Sequence, residues 1–66
     1  MIRSLASMPR CEIDIGDRVE GVIGCFGTIV EIKRGRDDWW INIRWDHGTI
    51  TPHEKWEFVS VAWFGQ

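Results

Sequence analysis

A strong basic excess is missing from this sequence, which sets eight Lys and Arg against ten Asp and Glu for a formal net charge of −2. Domains held on DNA chiefly by phosphate neutralisation carry such an excess, so that class is not expected. The acidic balance is also too mild for an inhibitor that mimics nucleic acid. Long apolar runs are missing too. Residues 1–9 hold only a broken apolar stretch around Arg3, too short and polar for a signal segment or a membrane span, and a cytoplasmic protein is expected. Cysteine is limited to Cys11 and Cys25, with no CxxC pair, and His47 and His53 form no HxxxH knuckle. These are zinc-ligand types at spacings that make no zinc motif, and in a reducing cytoplasm the thiols are expected to be free. No metal or other cofactor is expected. Repeats and low-complexity runs are absent, and 66 residues hold one core.

Tyrosine is absent, yet five Trp and three Phe are a heavy aromatic load for so short a chain. Each ring buries a large area, which offsets the small size of the core. Hydrophobic residues at 44% and charged residues at 27% are the balance of a folded globular domain.

Along the chain, residues 1–14 mix Ser, Met, Pro and Arg without a period and read as a flexible arm. The alternation over 13–19, with a Gly-Asp turn before Arg18, starts a first strand. Gly21, Gly24 and Gly27 mark residues 20–26 as a loop with positions free to take positive φ. They lack the helix N-terminus and Lys-Ser/Thr pair of a phosphate-binding loop. Residues 28–33 are β-branched and form a second strand, and 34–38 are a connection of hairpin length. The third strand, 39–45, puts Trp39, Ile41, Ile43 and Trp45 on a core face and Trp40, Asn42, Arg44 and Asp46 on the other. After a turn at 46–48, residues 49–51 return as a fourth strand ended by Pro52. One helical turn over 52–56 and a fifth strand over 57–61 follow. The expectation is an all-β, five-stranded SH3-like barrel over 15–61, with 62–66 as an aromatic tail.

Gly16-Asp17-Arg18-Val19, Gly27-Thr28-Ile29-Val30 and Ile43-Arg44-Trp45-Asp46-His47-Gly48-Thr49 resemble the pattern of the MIB/HERC2 domain family and related small prokaryotic SH3-like domains, and more loosely KOW and Tudor-like barrels. The resemblance covers about residues 15–61 and rests on structural glycines and core positions, so it implies a fold. The first loop lacks that family's Gly-Pro-Asp-Trp and Asp-Gly-Gly elements. A bacterial or phage domain is implied.

Catalytic chemistry is not expected. Cys25 with His47 or His53 is a nucleophile pair only if a sheltered pocket joins them, and Asp37, Asp38 and Asp46 sit at turns, where Asp bonds locally. The surface expected to bind is aromatic and basic: Trp40 with Arg44, Arg34 and Arg36, joined by Phe26 and Trp56, with Trp63 in the tail as a second anchor. Exposed Trp beside Arg combines stacking area with a charged fork. The leading expectation is a protein-binding module, self-association included. The alternative is a nucleic-acid-binding barrel with the three arginines on phosphate and Trp40 on a base.

Overall fold

The computed structural model describes residues 2–36 and 38–65. Asp37 of the expected hairpin connection, and the first and last residues of the expected arm and tail, lie outside them. The chain forms β1 (Arg3–Ser4), 3-10 turns at Leu5–Ser7 and Arg10–Glu12, then β2 (Arg18–Glu20), β3 (Phe26–Arg34), β4 (Trp39–Trp45) and β5 (Ile50–Glu54). A 3-10 turn at Lys55–Ser60 and β6 (Ala62–Gly65) complete it. The fold is all-β. One antiparallel sheet runs in the order β1-β6-β2-β3-β4-β5, with six strands among the described residues where five were expected. No ladder joins β1 to β5 among the described residues, so the sheet is open rather than closed by hydrogen bonds.

β3 and β4 form because β-branched and aromatic residues alternate across a pleat. Ile29 pairs with Ile43 and Ile32 with Ile41, and a register shift between Ile29 and Glu31 keeps both isoleucine pairs on one face. Such a bulge also bends the strand, turning one long ribbon toward both halves of the sheet. The β4–β5 turn closes through Gly48 N–H donating to the Trp45 carbonyl at 2.8 Å, with Gly48 at φ 109°, a conformation that favours glycine. β5 runs on through Pro52, which was expected to end it. Pro52 sits opposite Asn42 on an edge strand, where a missing N–H costs no ladder bond on the open side.

The segment expected as a fifth strand, 57–61, is mostly the 3-10 turn Lys55–Ser60. Its apolar residues bury at i and i+3, Phe58 at 0% and Val61 at 4% exposure, while Val59 stays 72% exposed, and that spacing suits a helical turn. The Glu57 carboxylate accepts from Glu54 N–H at 2.9 Å and caps its start. The last strand lies later, in the segment expected as a tail, and β6 sits between β1 and β2.

The first fourteen residues also pack differently from a free arm. Leu5 N–H donates to the Val61 carbonyl at 2.8 Å, and Leu5, Met8 and Ile13 join Val19, Ile29, Ile41, Ile43, Phe58 and Val61 in the core. Their spacing matches neither strand nor helix because two short 3-10 turns carry them. Trp39, Trp45 and Trp63 ring this core, partly buried. No helix among the described residues is long and apolar enough to cross a membrane.

Candidate functional site

An apolar cleft of about 600 Å³ opens between the 21–25 loop, the β4–β5 turn and the Lys55–Ser60 turn. Trp45 forms one wall. Its indole N–H donates to Thr51 Oγ at 2.7 Å, and Thr51 Oγ lies 2.7 Å from His53 Nε2. With that hydroxyl already accepting from the indole, its own proton is free to point at His53 Nε2, which suits a neutral imidazole protonated on Nδ1. Burial lowers the His53 pKa, and the nearby Glu57 partly offsets this.

The glycines flanking the loop give Trp45 its position. A Cβ on Gly21 would lie 2.7 Å from the Trp45 ring, and one on Gly27 would lie 2.6 Å from Ile43 Cγ2 and 2.9 Å from Trp45 Cε3. Only Gly24 of the three expected loop glycines takes a positive φ, at 84°. Gly21 and Gly27 therefore serve close approach of the indole, and any side chain there displaces the cleft wall. On the opposite rim the Lys55–Ser60 turn holds Phe58 in the core and turns Trp56 (73% exposed) and Val59 outward, facing Val22 across the cleft.

A protonated His53 would have to donate toward Thr51 and carry a charge in a desolvated site. The folded protein thus binds fewer protons at His53 than the unfolded chain. The contribution is complete above the unfolded pKa of about 6.5 and is lost as pH falls through that value toward the lower folded one. Urea midpoints measured at several pH values should fall on acidification in this window, and His53→Gln should flatten that part of the profile. An unchanged slope in the variant would remove the assignment.

A second cleft, of about 500 Å³, lies at the far end of the β3–β4 hairpin, lined by Arg10, Lys33, Arg34 and Arg36 with Asp38 and Trp39. The Arg10 guanidinium sits 5.4 Å from the Trp39 ring centre and donates to the Ile13 carbonyl at 2.9 Å. Phe58 meets the same ring edge-on at 5.1 Å, and Lys55 Nζ lies 5.8 Å from its centre.

The expected aromatic and basic surface does not come together as one patch. Arg34 and Arg36 line the basic cleft, while Trp56 lines the apolar one. Trp40 and Arg44 share the outer face of β4, with the Trp40 ring close over Gly35. Phe26 pairs with Phe64, ring centres 5.6 Å apart. Trp63 turns inward, its indole donating to the buried Asp17 at 2.9 Å. On the outer face Arg18 forks onto Asp46 at 2.8 and 2.7 Å and holds that carboxyl below its ordinary range, while Asn42 and Lys33 do the same for Glu31. Cys11 and Cys25 are exposed free thiols, and Cys25, His47 and His53 all border the apolar cleft. Among the described residues no three or more His, Cys, Asp or Glu cluster as metal ligands would.

Sequence reasoning missed Trp45, Thr51, His53, Val22 and Val59 as one surface, and Arg10 as a partner of Arg34 and Arg36. The glycine spacing around residue 24 was the available signal for the apolar cleft, since it left space that only a large ring fills. No family model matches this chain, nor does any curated protein or solved structure.

Proposed function

We propose that this chain is a non-catalytic interaction module of SH3-like barrel type that receives an extended, apolar segment of a protein partner in the cleft between Trp45 and Trp56. Support for the barrel reading comes from the element order. The β2-β3-β4-β5 meander leads through one 3-10 turn to a last strand on the free side of β2, and the bulged β3 bends between the two halves.

The observation that carries the binding reading is the division of labour in the Lys55–Ser60 turn. Phe58 anchors it in the core, which leaves Trp56 and Val59 in water, lining the cleft together with Val22 (74% exposed). Covering these side chains removes apolar area from water, at about 25 cal/mol per Å². Of the polar groups bordering the cleft, Thr51 and Ser60 are held by internal hydrogen bonds and the Glu57 carboxylate by Glu54 N–H, which suits an apolar segment rather than a charged ligand.

Selection of displayed random peptides on the purified domain tests this. Enriched peptides should share spaced apolar residues, and Trp56→Ala combined with Val59→Ser should weaken them by about tenfold or more. Trp40→Ala should leave them unaffected. Selected peptides that bind the double variant as well as the parent would reject the cleft. A concentration-dependent dimer abolished by the same variant would make the partner a second copy.

A further inference from the structure

We infer that the basic cleft at the end of the β3–β4 hairpin binds a compact polyanion, a ligand carrying two or more adjacent phosphoryl groups. The chain as a whole is acidic, yet four of its eight cationic residues line this one cleft. Asp38 is the acidic residue among that lining, and it is engaged, accepting from Trp39 N–H at 2.9 Å and lying 3.6 Å from Lys55 Nζ. Neighbouring Asp37, counted from the sequence alone, still leaves the lining net positive. Lys33 is partnered by Glu31 at 3.4 Å and Arg10 gives one N–H to the Ile13 carbonyl, so the groups left for a ligand are the forks of Arg34 and Arg36 and the remaining N–H groups of Arg10.

These three guanidinium groups come from separate places: the Arg10–Glu12 turn, the end of β3, and the connection beyond it. Each planar fork matches the oxygens of one phosphoryl group, so three around one concavity suit several phosphoryl groups held close together. A volume of about 500 Å³ is that of a small-molecule site. The positive surface does not continue along the sheet as a nucleic-acid track would. Arg18 is taken by Asp46, and Arg44 lies within the field of that same carboxylate. Trp39 has Phe58, Arg10 and Lys55 against its ring, which leaves little face for a base to stack on. Phosphate oxygens therefore carry the recognition.

Titration calorimetry with inorganic tripolyphosphate, ATP and a single-stranded oligothymidylate at low ionic strength tests this. Tripolyphosphate should bind and weaken as salt is raised. Arg34→Gln with Arg36→Gln should reduce its affinity by about tenfold or more, and Arg10→Gln by roughly threefold. Arg3→Gln and Arg44→Gln should change it less than about twofold, since neither lines the cleft. ATP equal to tripolyphosphate would make the phosphates alone the ligand, and tighter ATP would add the nucleoside within the same site. The inference is overturned if tripolyphosphate does not bind, if Arg44→Gln weakens it as much as the cleft variants, or if the oligonucleotide binds tighter than both and strengthens with length. Unchanged circular dichroism in each variant separates lost binding from lost fold. Peptide binding at the apolar cleft is independent of every outcome.

Discussion

Phe58→Ala should cost about 3–5 kcal/mol, the range for deleting a fully buried phenyl ring. A chain of this size has a total stability of roughly 3–10 kcal/mol, so the variant should lose a large fraction of it. Phe58 is 0% exposed and meets Trp39 edge-on at 5.1 Å, and it is the buried residue of the Lys55–Ser60 turn. Losing it opens a cavity beneath the turn that carries Trp56 and Val59. Phe58→Leu fills most of the space and should cost less than about 1.5 kcal/mol. Urea denaturation of the two variants measures the difference. A loss below about 1.5 kcal/mol for the alanine variant would show that the turn collapses onto the sheet without its anchor.

Asp17→Ala should cost about 2–4 kcal/mol and lower the thermal midpoint by roughly 10–25 °C. At 3% exposure Asp17 is the buried charged side chain among the described residues. Its carboxylate accepts from the Trp63 indole and from Asp14 N–H, both at 2.9 Å, while its carbonyl accepts from Ile29 N–H at 2.9 Å. Alanine removes the partner of two part-buried donors. Trp63→Phe removes one bond and keeps the ring, for about 1–2 kcal/mol. Differential scanning calorimetry of the two single variants and the double completes a cycle, with a coupling of about 1 kcal/mol expected. Strict additivity would show that the indole bond contributes nothing beyond packing.

Asp17 also shows where sequence reasoning reached and where it stopped. Its place in a tight turn before β2 was legible, because Gly-Asp before an alternating run is local chemistry. Its bond to Trp63 spans 46 positions, and no local pattern encodes it. The inward row Trp39, Ile41, Ile43 and Trp45 was legible too, since alternation is a property of the strand itself. Glu57 to Val61 was ambiguous, because a short run with apolar residues at 58, 59 and 61 fits a strand or a helical turn, and packing of Phe58 against Trp39 selects the turn.

The candidate site divides the same way. Each aromatic and basic residue expected to bind was identifiable by type, but grouping them needed the third dimension. Trp40 and Arg44 share a face by strand alternation alone. Trp56 joins Trp45 only because the chain folds the Lys55–Ser60 turn back beside the β4–β5 turn, and Arg10 joins Arg34 and Arg36 only because its 3-10 turn packs at the hairpin end.

By itself, the sequence determined an all-β domain, the β3–β4 hairpin, the inward face of β4 and the turn at Gly48, all of which follow from steric and pleat periodicity over neighbouring residues. Tertiary structure decided the rest. Burial recruited Leu5, Met8 and Ile13 from an aperiodic arm, and β6 took an interior place between β1 and β2. The three glycine-marked positions around the 21–25 loop became, at two of them, the seat of a tryptophan ring. These outcomes depend on which apolar surfaces meet when a small core must be covered from every side, and that is a property of the whole chain rather than of any segment.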